Sequence, residues 1–310
     1  MNKYNLVTIL GPTASGKTGL AAVVASGISG TILSADSRQV YKRLNIGTGK
    51  DYESYIVNGI NIPFCLIDII SPLEEYNLFS FIKDFTVCYL SVISEKRFPI
   101  MVGGSGLYLS AIIQNYHPPV TDFNKERLSQ LNELDDTALR AVLLNLNPSL
   151  HNTTDLLNRE RMITAIMINE AGNSSLKPAV SFNSLNFLID PGKETGDTLI
   201  KHRLELRLKS GMIEEVELLM KDIPREKLFY FGLEYRYLSE FLLGELTYND
   251  MFQKLLSAIR NLAKRQRTWF RKMEKEGVEL FRVNRNEPDR ILSIIEEKRK
   301  AGSFAQNLPA

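Results

Sequence analysis

Leu6-Val7-Thr8-Ile9-Leu10-Gly11-Pro12-Thr13-Ala14-Ser15-Gly16-Lys17-Thr18 is the stretch that decides the fold. A short apolar run closed by Gly11-Pro12 predicts a buried strand that ends in a loop. Residues 11–18 fit GxxxxGK[ST], and Thr18 to Ser26 reads as a helix. Strand, loop and helix in that order are the context in which this motif cradles phosphate. Gly11 and Gly16 let the backbone curl so that several N–H groups point inward. The following helix adds its positive N-terminal end. Lys17 supplies a cation for the outer phosphate, and the Thr18 hydroxyl can ligate Mg²⁺. The motif specifies a di- or triphosphate and leaves open which molecule carries it. A phosphoryl-transfer enzyme would also need an acid near a neighbouring strand to hold the metal. Asp68 and Asp36 are the two candidates, and the pattern alone does not choose between them.

Working outward, Thr31-Ile32-Leu33 predicts a second strand that ends near Asp36. Phe64 to Asp68 predicts another, and Pro99 to Val102 a further one that runs into Gly103-Gly104-Ser105-Gly106. Leu78 to Ser94 has helical spacing. Strands alternating with helices imply an α/β, P-loop core whose parallel sheet is covered by helices. The pattern changes after His117-Pro118-Pro119. Asp122 to about Ala171 is helical in spacing, Gly172 to Pro178 is a break, and Asn186 to Pro191 predicts a strand that returns to the sheet. The expected organisation is a catalytic core over 1–119, an all-helical insert domain over 120–180, and a return to the core over 181–310. Helices are expected from Thr198 to Lys275, with a loose tail from Ala301.

Across 310 residues, 44% hydrophobic and 24% charged composition excludes a mostly disordered chain. The net charge of +2 does not by itself announce nucleic acid. Cys65 and Cys88 form no CxxC pair, which excludes a cysteine zinc ribbon and a disulfide scaffold and suits a reducing compartment. No apolar run approaches bilayer length, and Met1 to Leu10 lacks the features of a signal peptide. A soluble cytoplasmic protein without membrane attachment is expected. The charge is unevenly spread. Lys254 to Lys275 holds eight basic side chains against the single acid Glu274. Met251, Phe252, Leu255, Leu256, Ile259, Leu262, Trp269 and Phe270 follow core spacing, which assigns Trp269 to the core. Arg260, Lys264, Arg267 and Arg271 form a separate stripe whose density and sign point to phosphate contact.

Five segments, taken together, resemble the tRNA dimethylallyltransferase family, also called tRNA isopentenyltransferases. They are Gly11 to Thr18 (GPTASGKT), Ser34 to Lys50 (SADSRQVYKRLNIGTGK), Leu66 to Ile69 (LIDI), Met101 to Leu109 (MVGGSGLYL) and Leu262 to Arg271 (LAKRQRTWFR). The resemblance spans almost the whole chain. It implies transfer of a dimethylallyl group from its diphosphate to the exocyclic amine of the adenosine on the 3′ side of the anticodon. Mg²⁺ would be the cofactor, the anticodon stem-loop of tRNA the partner, and the enzyme a monomer. In such enzymes Gly11, Pro12, Thr13, Ala14, Ser15, Gly16, Lys17 and Thr18 hold the prenyl diphosphate, with the metal on Thr18. Arg207 is expected to add a guanidinium, and Arg203 lies one helical turn earlier on the same face. Asp36 is expected to accept the proton of the attacking amine, which completes a catalytic set of Asp36, Lys17 and Arg207.

By the same resemblance, Asp36, Ser37, Arg38 and Gln39 would line the adenine pocket. Ser105, Arg127, Arg161, Gly232, Arg260, Lys264 and Arg267 would meet the tRNA. Where the family usually reads Gly-Tyr, a basic residue and Glu, this chain has Gly232-Leu233-Glu234-Tyr235. Thr164 stands in place of a second arginine, and Ile259 in place of a threonine. Rival readings are an isopentenyltransferase acting on free adenine nucleotides, a small-molecule P-loop kinase, and a tRNA-binding protein without activity. The helical insert and the basic helix favour a macromolecular substrate. Intact Lys17, Thr18, Asp36 and Arg207 favour catalysis.

Overall fold

The computed structural model describes residues 3–115, 125–146, 159–170, 180–306 and 308, apart from the side chains of residues 125, 160, 161, 164 and 168. The chain begins β1 (Leu6–Leu10), α1 (Lys17–Gly27), β2 (Gly30–Ala35), β3 (Ile56–Val57), β4 (Ile60–Asn61) and β5 (Phe64–Cys65). It continues α2 (Leu78–Ser94), β6 (Phe98–Gly103), α3 (Gly106–Ile113), α4 (Lys125–Glu133), α5 (Asp136–Leu146) and α6 (Arg159–Glu170). Then come β7 (Ser184–Ile189), α7 (Lys193–Lys209), α8 (Met212–Leu219), α9 (Arg225–Phe231) and α10 (Leu233–Leu242). The last elements are α11 (Tyr248–Lys275), β8 (Phe281–Val283) and α12 (Pro288–Lys300).

Six strands form one parallel sheet in the order β5-β2-β6-β1-β7-β8, and β3 and β4 form a small antiparallel hairpin. β1, β2, β6 and β7 are buried along their whole length, so their sequences read as continuous runs and not as alternating ones. Alternation still sorts the residues by face. Leu6 and Leu10 join the core with α2, α3, α7 and α11, while Val7 and Ile9 pack with α1 and α12. The register pairs Leu10 with Gly103 and Leu188, and Ala35 with Gly103. The loops after β1, β2 and β6 therefore leave the sheet side by side at its carboxyl edge, where open α/β sheets place ligands.

Two compact units are separated, Met1–Tyr116 with Val180–Ala310, and His117–Ala179. In the second unit the described elements are all helices, and Leu131, Leu139, Leu143, Met162 and Ile166 are part of a core of their own. The breaks read at residues 117–119 and 172–178 lie outside the described residues.

Several elements differ from the sequence reading. β5 stops at Cys65 and not at Asp68, because Leu66 (φ 66°) and Asp68 (φ 56°) adopt the left-handed conformation, which a strand does not accommodate. The helical stretch is five helices, α7 to α11, turned by left-handed Gly211 and by Gly232 at φ 136°. β8 adds a sixth strand from a segment too short to show a period.

The tail is not loose where it is described. Tyr4 N donates to Ser303 O (2.7 Å), Ala305 N donates to Tyr4 O (2.8 Å), and Phe304 is buried against Tyr4 and Phe98. We expect Phe304→Ala to lower stability by about 3 kcal/mol in urea denaturation, the usual cost of emptying a buried phenylalanine site. A frayed terminus would show almost no change.

Candidate active site

At the carboxyl edge of the sheet lies a cleft of about 820 Å³. Thr13, Lys17 and Thr18 line it from the phosphate loop, Asp36 to Gln39 from the end of β2, and Ser105 from the turn after β6. Arg203 and Arg207 enter from α7, Gly232 to Glu234 from the junction of α9 and α10, and Arg265, Gln266 and Trp269 from α11.

The loop's backbone sets its shape. Gly11 packs so closely on the end of β7 that a Cβ there would lie 2.5 Å from Ile189 O. Gly16 turns at φ 82° into α1, which has no side-chain cap. The first N–H groups of α1 are thus left to an anionic ligand. Pro12, Ala14 and Ser15 shape the loop without lining the cleft, and Ser15 Oγ is buried without a hydrogen-bond partner.

Gln266 holds the loop in register. Its Oε1 accepts from Thr13 N (2.8 Å), and its Nε2 donates to Gly104 O (2.8 Å). A Cβ on Gly104 would sit 2.8 Å from Gln266 Nε2 and 2.9 Å from Gly11 O, so α11, the phosphate loop and the turn after β6 close on one another. Gln266 has no counterpart among the expected site residues. It lies inside the quoted run Leu262 to Arg271, but a neutral amide gives no signal to charge patterning.

Three cations converge on the loop. Lys17 Nζ donates to Pro12 O (3.3 Å), and Arg203 donates to the Thr13 hydroxyl. Withdrawal from water, helped by Arg203 and Arg207 and opposed by Asp36, brings the Lys17 ammonium down to about 8. Burial, followed by the charge of Arg207, brings Arg203 down to about 9. Arg207 presses on the backbone of Gly49 (φ 70°), where a Cβ would overlap its guanidinium. Glu234 lies 3.9 Å from Arg207, and its burial pushes its carboxyl above the usual range against the pull of that arginine. Like charges that depress one another in a water-poor cleft are an arrangement that a polyanion relieves.

Across the cleft, Asp36 Oδ1 accepts from Arg38 N (3.0 Å), and Ser37 N donates to Ser105 Oγ (3.2 Å). Gln39 is a strut. It accepts from Ser34 Oγ (3.1 Å) and donates to Gly49 O (3.0 Å). Arg38 stacks over Tyr230 at 4.6 Å. Asp68, the other candidate acid, lies outside the cleft, paired with buried Lys50 and accepting from Tyr52.

The basic helix divides by role. Arg267 donates to Asp190 Oδ1 (3.1 Å) and Gly192 O (2.9 Å), so the guanidinium expected on RNA ties α11 to the start of α7. Arg260 lies 3.8 Å from Asp197, while Lys264 is exposed. Trp269 packs on the margin of the core and also faces the cleft. It is half-buried, lines the cleft, packs on Gly106 and donates to Ser110 Oγ (2.7 Å). In the helical unit, Arg127 pairs with Glu170. Arg161 lies on α6, and its side chain is outside the described residues.

Fold and site together define a P-loop enzyme with a preformed, cation-lined cleft. The chain belongs to the IPP transferase family, whose model matches residues 39–273, and a second model, for isopentenyl transferase, matches residues 4–61. The tRNA dimethylallyltransferase 2 of Phocaeicola vulgatus is 45% identical over 284 residues, covering 89% of this chain and 91% of that protein. The crystal structure of the full-length tRNA isopentenylpyrophosphate transferase from Bacillus halodurans is 26% identical, with a TM-score of 0.69 and 98% of each chain covered. A eukaryotic dimethylallyltransferase acting on tRNA, at 19% identity, shares the fold with a TM-score of 0.78 over 96% of this chain and 80% of its own. Among the described residues no helix is long and apolar enough to cross a membrane.

The lowered pKa of Lys17 has a measurable consequence. A depressed ammonium keeps its proton below about 8 and loses it as the pH rises through that value. Affinity for inorganic diphosphate should therefore fall above about pH 8. Calorimetry in buffers of different ionisation enthalpy should show proton uptake on binding there, and Lys17→Met should remove the part that sets in near pH 8.

Proposed function

We propose that the chain transfers the dimethylallyl group of dimethylallyl diphosphate to N6 of the adenosine on the 3′ side of the tRNA anticodon, releasing diphosphate. The observation that carries this reading is the single cleft in which Lys17, Arg203 and Arg207 face Asp36. Family membership and relatives named for this reaction support it. In this reading the chain acts as a monomer in the cytoplasm.

In the reaction the C1–O bond of the prenyl diphosphate breaks and an N6–C1 bond forms. Negative charge grows on the departing diphosphate. Fixed donors aimed at developing charge are usually the largest catalytic term, and here they are the loop amides, Lys17, Arg203 and Arg207. An exocyclic adenine amine is a weak nucleophile because its lone pair is delocalised into the ring. Asp36 orients its N–H and takes the proton as the new bond forms. The target base must leave its stack, which costs least in a single-stranded anticodon loop. Exposed Lys264 and Arg271, with Arg265 at the cleft, would meet its phosphates.

The Thr18 hydroxyl would hold Mg²⁺ together with diphosphate oxygens. No group of three His, Cys, Asp or Glu side chains converges for a metal among the described residues. This donor set still fits magnesium, which takes most of its ligands from water and substrate phosphate. When bound, the ion neutralises charge on the leaving diphosphate.

Incubation with Mg²⁺, labelled dimethylallyl diphosphate and unmodified tRNA, without ATP, should label the adenosine beside the anticodon. Label on free AMP, ADP or ATP instead, or ATP turnover without prenyl transfer, would refute the proposal. Asp36→Ala should lower kcat by about 10²–10³ with little change in the KM for the prenyl donor. Arg207→Ala should raise that KM and also lower kcat, by about 10². Wild-type rates in either variant would remove that residue from the mechanism.

A further inference from the structure

A carboxylate outside the cleft accepts four hydrogen bonds, three of them from one turn of the cleft wall. Glu215, on α8, accepts from Asn45 N (3.0 Å) and Ile46 N (2.7 Å) through Oε2. Through Oε1 it accepts from Gly47 N (3.0 Å) and from the phenol of Tyr235 (2.9 Å). Three successive backbone N–H groups turned on one anion form a nest, a geometry that fixes a backbone firmly. Tyr235 is fully buried, and Gly47 lies so close to it that a Cβ would be 2.5 Å from its Cζ. The turn can therefore seat on this phenol only because residue 47 has no side chain.

The same turn reaches the reacting groups. Gly49 N donates to Ile46 O (3.1 Å), which makes Gly49 part of the unit that Glu215 holds. Gly49 is the surface on which the Arg207 guanidinium rests, and its carbonyl receives the Gln39 amide. We infer that Glu215 is a positioning residue for the diphosphate site, acting with Tyr235 through the turn Asn45–Gly49 to set the place of Arg207. The inference rests on the proposed reading of Arg207 as a diphosphate ligand.

Two residues of the departure at Gly232-Leu233-Glu234-Tyr235 take part in it. Glu234 faces Arg207 from one side, and Tyr235 anchors the turn that backs it from the other. A carboxylate at position 235 would meet Glu215 as a like charge, whereas a phenol donates to it.

Binding of inorganic diphosphate, measured by calorimetry without tRNA, tests this. Glu215→Gln turns an N–H group toward the backbone donors and should weaken binding about tenfold. Tyr235→Phe removes one donor, keeps the buried ring, and should weaken it about threefold. The loss should vanish when Glu215→Gln is placed on Arg207→Ala, because a residue that acts through Arg207 has nothing left to position. A loss confined to thermal stability would be structural only. Unchanged affinity in both single variants, with Arg207→Ala alone weakened, would overturn the inference. So would a tenfold loss that persists on Arg207→Ala. If Glu215→Gln does not fold, Tyr235→Phe and its combination with Arg207→Ala carry the same test. Wild-type affinity in Arg207→Ala would overturn the inference and also the reading of the diphosphate site beneath it.

Discussion

Burial of Lys17 and Arg203 beside Arg207, three cations withdrawn from water and repelling one another, is the constraint around which the rest of the site is arranged. Bringing the Lys17 ammonium from its ordinary 10.5 to about 8 corresponds to roughly 3 kcal/mol, led by its withdrawal from water and added to by the charges of Arg203 and Arg207. A fold tolerates that only if the cations cannot swing away. Here neighbouring groups do the restraining. Arg203 is held on Thr13, Arg207 rests on a glycine surface, and Thr13 is in turn held by Gln266. A diphosphate bound as proposed would offset both the lost hydration and the repulsion. Strain of this kind is preorganisation, since the donors need not reorganise when charge appears on the leaving group.

Much of this was legible in the sequence. β1, the phosphate loop and α1 follow directly from residues 6–18, because a fully buried parallel strand and a glycine-rich anion loop both have local signatures. Arg203 and Arg207 share a face because they are four residues apart on a helix, and Asp36 stands where the end of a second strand puts it. Less legible was everything settled by long-range packing. Nothing local announces that Asp68 is spent on Lys50 and Tyr52, that Glu234 faces Arg207, or that a three-residue segment at 281–283 adds a strand. Gln266 escaped because its two hydrogen bonds join segments more than 150 residues away, and an uncharged side chain carries no pattern.

α11 shows why a charge stripe is not one surface. Its apolar residues bury as their spacing requires, yet its basic residues part company. Arg267 turns inward to Asp190, Arg265 meets the cleft and Lys264 stays in water. A helix that packs at a site edge has three environments around its circumference, and helical periodicity resolves only buried from exposed. One element thereby braces the fold through Arg267, fixes the phosphate loop through Gln266 and supplies charge at the mouth.

The lone indole of the chain sits in that same wall, half-buried against Gly106, with its N–H on Ser110. Every photon of tryptophan emission from this protein therefore originates at the mouth of the cleft, with no background from elsewhere in the fold. Since indole emission follows the polarity and hydration of its surroundings, the molecule contains its own optical reporter. Entry of a base, exclusion of water or departure of product could be followed in real time on the unlabelled enzyme.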